Sequence, residues 1–139
     1  MRSKTIVIPG KPQGKGRPRF TRYGRPYTPE NTRRYEESIR AAWYLQADGW
    51  TVRDGGVGVI VFAYFPVPKS ASQDRKSGML SGRIAATVKP DADNVLKIVL
   101  DALNGRAWQD DKQVVSASVQ KLYAEEPRVE VVLYDTDNL

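Results

Sequence analysis

Apolar residues recur along this chain with two periods, and the two periods predict helices and strands. An i, i+4, i+7, i+8 repeat from Tyr35 to Trp43 predicts an amphipathic helix. We expect Thr28 to cap that helix, Pro29 to occupy its first position and Asp48-Gly49 to end it. Segments rich in β-branched and aromatic residues predict four strands. These segments are 3–9, 57–65, 113–123 and 128–134.

The segment from Asp91 to Leu103 predicts a second helix that is apolar outside one stripe. At 100° per residue, Asp93, Lys97, Asp101 and Asn104 fall within an arc of about 80°. A helix with so wide an apolar surface is buried on more than one side. Packing against a sheet alone would not need this, so the pattern predicts a contact in a homodimer.

The strand at 113–123 alternates between two faces. Its first face carries Val115, Ala117, Val119 and Lys121, and its second carries Val114, Ser116, Ser118, Gln120 and Leu122.

The predicted order is β-α-β-α-β-β, which indicates an α+β fold with a mixed sheet and two main helices. A chain of 139 residues forms one domain with one core, so we assign 1–139 to a single domain. Two segments lie outside the regular elements: a basic arm at 10–29 and a basic loop at 66–90, with a short helix near Gln73–Leu80. A loop of that length in a small domain is usually functional or disordered, and we expect this one to bind DNA.

The composition excludes several classes of site. The chain has no cysteine and no histidine, so disulfides, thiolate or histidine zinc sites and histidine-based triads are excluded. No apolar run reaches the ~18 residues needed to cross a bilayer, and no signal sequence is recognisable at the start. We therefore expect a cytoplasmic protein with no membrane partner.

The positive charge is concentrated in one segment. Net charge is +6, yet residues 11–34 hold eight basic residues against Glu30 alone, and the remainder is nearly neutral. Such a segment is typical of a polyanion partner, although a solvated basic surface is the simpler interpretation. Aromatic residues in the arm either stack on bases or pin the arm to the core, and the sequence leaves both open. We predict phosphate contacts at Lys15, Arg17, Arg19, Arg22, Lys76 and Lys89.

Acidic residues are dense at Asp91 and Asp93 and again at Asp110-Asp111. Carboxylates at a helix N-terminus are favoured by the helix dipole, so capping alone explains many such pairs. Oxygen ligands of this kind also suit Mg²⁺, which can activate water for phosphodiester hydrolysis. Lys97, one turn after Asp93, either assists at phosphate or forms i,i+4 ion pairs. For Asp101 we favour the structural interpretation.

These residues resemble a known family. The segments Asp91-Ala-Asp93-Asn94-Val-Leu-Lys97 and Trp108-Gln-Asp110-Asp111 are similar to the signature of the RusA Holliday-junction resolvases, which are bacterial and often carried by phages or prophages. The opening Gly10-Lys-Pro-Gln-Gly-Lys-Gly-Arg-Pro-Arg-Phe20 resembles phage-type members. The similarity extends over nearly the whole chain.

The resemblance implies a homodimeric endodeoxyribonuclease that nicks four-way junctions symmetrically, in DNA recombination and repair. It implies Mg²⁺ as cofactor, with Mn²⁺ as a substitute. Asp91, Asp93 and Asp111 match the family's metal-binding catalytic acids, and Lys97 matches its catalytic lysine. Two alternatives stay open: a DNA-binding protein without catalysis, and a nuclease that acts on flaps or forks.

Overall fold

The computed structural model describes residues 2–137, with three helices and a four-stranded mixed sheet. The strands are β1 (Ser3–Pro9), β2 (Arg19–Phe20), β3 (Pro26–Tyr27), β4 (Val57–Pro66), β5 (Val114–Ala124) and β6 (Arg128–Asp135). The helices are α1 (Glu30–Gln46), α2 (Gln73–Ser81) and α3 (Ala92–Leu103), and a 3-10 turn covers Asp111–Gln113.

The main sheet has the order β1-β6-β4-β5, and only β4 and β5 run parallel. One row of side chains shows the register: Ile6 lies beside Val131, Val131 beside Val61, and Val61 beside Val119. Of these four residues, the first three are fully buried. The connection from β4 to its parallel neighbour passes through α2 and α3, so α3 lies against β5 while α1 packs on β1 and α3. The core therefore forms between the sheet and the helix pair.

The predicted α+β class and the four main strands are confirmed, with ends that shift by at most one residue. The basic arm contains a small hairpin, β2–β3, and the basic loop contains α2, close to the short helix expected at Gln73–Leu80. The expected cap at Thr28 is wrong, because Pro29 occupies the N-cap position and the helix begins at Glu30. No helix in residues 2–137 is long and apolar enough to cross a membrane.

The apolar surface of α3 has a different explanation from the predicted dimer contact. Val95, Ile98, Val99, Ala102 and Leu103 are buried within the chain itself, between α1 and the sheet. A helix that packs on two neighbours needs apolar residues around most of its circumference. Packing within one chain therefore explains the apolar surface of α3 without a dimer contact.

The predicted faces of β5 also need one correction. Val57 pairs with Val114 but Gly58 pairs with Ser116, so the register shifts by one residue at Val115. Such a bulge reverses the alternation on one side of it. Val114 consequently packs against the core, instead of lying on the polar face with Ser116 as the simple alternation predicts.

The phenol of Tyr35 gives the fold a measurable dependence on alkaline pH. Tyr35 is 5% exposed, and burial raises the pKa of its hydroxyl to about 12. A group whose pKa is raised on folding contributes stability that is complete below its unfolded pKa, near 10, and is lost as pH rises toward 12. Against Tyr35→Phe, the wild-type free energy of unfolding should fall by about 2–3 kcal/mol across that interval, measured by urea unfolding.

Tyr44 provides the matched control, because it is on the same helix and is 73% exposed. Tyr44→Phe should show no comparable divergence from wild type at high pH. Equal alkaline profiles for wild type and Tyr35→Phe would contradict the burial of this phenol.

Candidate functional site

Polar side chains from two parts of the chain meet in a cavity of about 250 Å³ beside α3. Its walls include residues from the polar stripe of α3 and from the segment that leads into β5. The lining residues are Asp93, Leu96, Lys97, Leu100, Asp101, Asp111 and Val114. The cavity therefore combines three carboxylates and one ammonium with an apolar floor.

The carboxylates of Asp91 and Asp93 are not used to cap α3. Asp91 occupies the N-cap position, but its side chain makes no capping hydrogen bond, and Asn94 and Val95 donate to its backbone carbonyl instead. Within residues 2–137, neither carboxylate forms an ion pair or accepts a hydrogen bond from another side chain. A side-chain capping hydrogen bond therefore does not account for these two acids, although both lie at the N-terminus of α3, where the helix dipole favours negative charge.

The two acids at 110 and 111 have separate roles. Asp110 caps the 3-10 turn by accepting a hydrogen bond from the Lys112 amide at 2.9 Å, and Gln113 completes a capping box. Asp111 lines the cavity, and its Oδ1 accepts a hydrogen bond from the indole N–H of Trp108 at 3.0 Å. Because Trp108 is 1% exposed, its buried ring fixes the position of this carboxylate.

The structure brings only part of the predicted metal set together. Asp93 and Asp111 line the same cavity, but Asp91 does not. Among the described residues, no group of three or more acidic side chains is already arranged around a common point suited to a metal ion. Two carboxylates still fit Mg²⁺, since this ion keeps several waters and is commonly held by one or two protein carboxylates.

Lys97 does not form the i,i+4 ion pairs that the sequence allows. In the described part of the chain, its ammonium pairs with neither Asp93 nor Asp101. Asp101 instead pairs with Lys15 from the arm, at 3.2 Å between Oδ2 and Nζ. Asp101 is therefore structural, as expected, but with a different partner, and the ammonium of Lys97 remains available at the cavity.

Lys15 joins the arm to both helices. Its Nζ lies 2.7 Å from Oε1 of Glu36 on α1 and 3.2 Å from Oδ2 of Asp101 on α3. Glu36 is buried, and it also pairs with Arg40 at 3.1 Å. Partial burial lowers the pKa of Lys15, but the hydrogen bonds to Glu36 and Asp101 outweigh this effect and raise the pKa above its ordinary value. This arrangement favours an internal role for Lys15 over the predicted phosphate contact.

Two glycines beside Lys15 let the arm approach the helices closely. A Cβ on Gly14 would lie 2.8 Å from Cβ of Pro90 and 2.9 Å from Cβ of Asn94. The amide of Lys15 donates to the carbonyl of Asn94 at 3.0 Å, directly after Asp93. The Gly16 amide donates to Oγ1 of Thr32 on α1 at 3.1 Å. The base of the arm is consequently fixed next to the cavity.

Beyond this base, the arm is exposed. Phe20 and Tyr23 are 68% and 82% exposed, so neither ring pins the arm to the core. The guanidinium of Arg22 lies 5.6 Å from the centre of the Tyr23 ring. Arg17 and Arg19 are also exposed. The hairpin thus presents aromatic rings and arginines together, which are the side chains that stack on bases and contact phosphates.

The two predicted phosphate contacts in the basic loop differ in exposure. Lys89 is exposed and lies two residues before Asp91, whereas Lys76 on α2 is half-buried. Lys89 is therefore in the segment that leads into α3, and Lys76 belongs to a separate surface, on the helix that contacts β5.

Sequence reasoning missed two interactions that organise the site: the hydrogen bond from Trp108 to Asp111 and the ion pairs of Lys15. Trp108 precedes Asp111 by three residues. This spacing is the sequence feature that could have predicted the hydrogen bond from the indole to the carboxylate. The partners of Lys15 lie 21 and 86 positions away along the chain, and no local pattern identifies them. An ion pair of that range becomes visible only in the folded chain.

Comparison with known proteins gives two matches. The family model described as "Endodeoxyribonuclease RusA" matches residues 9–134, which is nearly the whole chain. A curated relative named "Uncharacterized protein YqaN", from Bacillus subtilis (strain 168), is 39% identical over 132 residues. That alignment covers 92% of this chain and 93% of the relative.

The ion pairs of Lys15 predict that its ammonium holds the arm in place. Lys15→Met removes the shared cation from Glu36 and Asp101 and should lower the free energy of unfolding by about 1–3 kcal/mol. It should also release the arm, so that trypsin cuts after Arg19 and Arg22 several-fold faster. Urea unfolding and limited proteolysis measure the two effects.

Lys11→Met is the matched control, since Lys11 is an exposed lysine of the same segment with no ion pair within residues 2–137. Lys15→Arg should restore most of the stability, because a guanidinium can also bridge two carboxylates. If Lys15→Met behaves like Lys11→Met in both assays, the ion pairs do not anchor the arm.

Proposed function

The chain belongs to the RusA family of endodeoxyribonucleases, and we propose that it resolves four-way DNA junctions by paired, symmetric nicks in recombination and repair. One observation carries the proposal: the cavity beside α3 joins Asp93, Asp111 and Lys97 at the base of a basic arm. Carboxylates beside an available ammonium suit hydrolysis of a phosphodiester. The exposed arginines suit the DNA backbone. Because the substrate is DNA, we also propose that the enzyme acts in the cytoplasm of its host.

In this proposal, Asp93 and Asp111 hold Mg²⁺, and Mn²⁺ can replace it. The bound ion would lower the pKa of a water molecule and neutralise charge on the phosphate oxygens. Asp91 is the third acid. It lies two residues before Asp93, at the N-cap of α3. Its carboxylate makes no capping hydrogen bond, so it is available to the site through a change of rotamer or through a bridging water.

Lys97 provides a positive charge at the cavity in addition to that of the metal ion. Its side chain lines the cavity, and Asp101, its neighbour one turn later, is already neutralised by Lys15. The Lys97 ammonium can therefore bind a nonbridging oxygen of the scissile phosphate and stabilise the charge that develops there. Lys15 acts indirectly, because it removes the competing carboxylate.

The arm supplies binding that does not depend on base sequence. Arg17, Arg19 and Arg22 are exposed, and the arm that carries them is fixed beside the cavity at Lys15. DNA held by the arm therefore passes the carboxylates. Lys89 adds a cation close to Asp91. A four-way junction has near-twofold symmetry, and a homodimer would offer two identical sites to it. We propose that branch shape determines where the enzyme binds.

Cleavage by Asp93→Asn tests the catalytic role. We expect wild type to cut a synthetic mobile junction in Mg²⁺ and the variant to lose at least about 100-fold in rate, because one metal-binding charge is absent. Junction binding should be kept or improved, since a negative charge next to phosphate is removed. Mn²⁺ binding measured by calorimetry should weaken in parallel, which gives a readout apart from activity.

Asp54→Asn is the control, because Asp54 is exposed and lies in the turn before β4. A normal cutting rate for Asp93→Asn would contradict the catalytic role of Asp93. Failure of wild type to cut any substrate would leave the non-catalytic DNA-binding alternative. Digestion of duplex, fork and four-way substrates side by side separates the remaining alternative. Equal rates on all three would identify a nuclease of broader specificity.

The salt dependence of binding tests the arm. Six to ten phosphate contacts would lower the affinity by about 10³–10⁵ between 50 and 200 mM salt. Replacing Arg17, Arg19 and Arg22 by Gln should reduce the slope of log affinity against log salt by about 2–3. Arg53→Gln, an exposed arginine outside the arm, is the control. An unchanged slope in the triple variant would exclude the arm from phosphate binding.

A further inference from the structure

A second cavity, of about 430 Å³, lies where the end of α1 meets the segment that follows α3. Its walls include Tyr44, Trp50, Arg106 and Trp108. It is distinct from the cavity beside α3, since the two share no lining residue. Its volume is within the range of about 300–1,000 Å³ that is usual for small-molecule sites.

All three tryptophans of the chain line this second cavity. Trp43 and Trp108 are buried, and Trp50 is half-buried. The rings of Trp43 and Trp50 meet edge to face, with 6.2 Å between their centres. Tyr44, in contrast, is exposed, so most of its ring is accessible to a ligand. The tryptophans therefore form a packed wall, and Tyr44 offers a ring on which a planar group can stack.

Two residues of the lining have a buried N–H group without a hydrogen-bond acceptor within residues 2–137. These groups are Nε1 of Trp50 and Nε of Arg106. Nη1 of Arg106 makes one long contact, at 3.5 Å from the carbonyl oxygen of Asn104. Buried polar groups are nearly always paired, and neither an indole nor a guanidinium N–H can accept a hydrogen bond. The two residues therefore favour a ligand that supplies acceptor atoms.

The charges around the second cavity favour an anion. Asp48 is an acid of the lining, but its Oδ2 lies 3.4 Å from Nζ of Lys4, which neutralises it. The guanidinium of Arg2 lies 5.1 Å from the centre of the Trp50 ring. Arg106 is half-buried and forms no ion pair in the described part of the chain. A phosphate can satisfy such a guanidinium through two parallel hydrogen bonds.

We propose that the second cavity binds a nucleotide, with its phosphate on Arg106 and its base against the ring of Tyr44. A nucleotide combines the three properties that this lining selects: negative charge, several acceptor atoms and a planar aromatic group. An inorganic anion would leave Tyr44 unused, and an uncharged nucleoside would leave the guanidinium unpaired. Two sources supply this chemistry: a free nucleotide, and an unpaired nucleotide of the DNA substrate.

Trp108 connects the second cavity to the candidate active site. Its ring lines the second cavity, while its indole N–H donates to Asp111 in the cavity beside α3, at 3.0 Å. A DNA strand held at Asp111 would therefore pass close to the second cavity. Binding of a free nucleotide does not depend on the proposed function, whereas an unpaired nucleotide of DNA as the source rests on it.

Tryptophan fluorescence tests the proposal on the full chain without a label, because every tryptophan lines the second cavity. We expect dAMP, added without a divalent metal, to change the emission in a saturable way. Deoxyadenosine lacks the phosphate and inorganic phosphate lacks the base. Each should bind at least about 10-fold more weakly than dAMP, since each loses one of the two contacts.

Tyr44→Ala and Arg106→Gln should each weaken dAMP binding by about 10-fold or more. Leu45→Ala is the matched control, because Leu45 is the next exposed residue of α1 and does not line the cavity. Tyr44 is itself exposed, so its replacement leaves the core intact. Lys97→Gln, in the cavity beside α3, should bind dAMP as wild type does.

Three results would overturn the proposal: no saturable change in wild type, equal dAMP affinity in Tyr44→Ala and Leu45→Ala, or a loss in Lys97→Gln as large as that in Arg106→Gln.

Equilibrium dialysis with radiolabelled dAMP distinguishes the two sources. If the DNA strand supplies the nucleotide, an excess of four-way junction displaces dAMP, and Tyr44→Ala weakens junction binding. If a free nucleotide is the ligand, dAMP stays bound and junction affinity is unchanged. Junction cleavage is measured separately. Binding of dAMP without cleavage would contradict the proposed function alone, and cleavage without dAMP binding would contradict this inference alone.

Discussion

The ammonium of Lys15, held between Glu36 and Asp101, is the interaction on which the arrangement of the site depends. It connects three segments that are far apart in sequence: the arm, α1 and α3. A buried carboxylate such as Glu36 would be costly without cations nearby, and Lys15 and Arg40 both supply one. The same contact removes Asp101 as a partner for Lys97. The position of the arm and the charge at the cavity are therefore determined by the same contact.

The glycines at the base of the arm make this contact possible, because side chains at Gly14 or Gly16 would collide with α3 or α1. The cavity is completed from the other side by Trp108, whose indole holds Asp111. Asp93, in contrast, is placed by the helix backbone alone. The two carboxylates line the same cavity but are held by different parts of the chain.

Periodicity in the sequence predicted most of the fold, since the apolar repeats of α1 and α3 and the β-branched runs of the strands are local signals. The hairpin β2–β3 was missed because its two strands have two residues each. The face of Val114 was wrong because a bulge is not visible in an alternation pattern. The acids and Lys97 could be proposed from spacing and family resemblance. The partners of Lys15 depend on tertiary packing, which no local pattern encodes.

The hairpin at the end of the arm has no part in the anchoring. Its turn, from Thr21 to Arg25, is closed by its own hydrogen bonds and lies apart from the Lys15 contacts. Exposed turns of this kind tolerate insertions and deletions. Under the proposed function, the distance over which the arm reaches along DNA can therefore be lengthened or shortened at the turn without moving the carboxylates. The length of the hairpin can thus vary without a change in the residues that line the cavity.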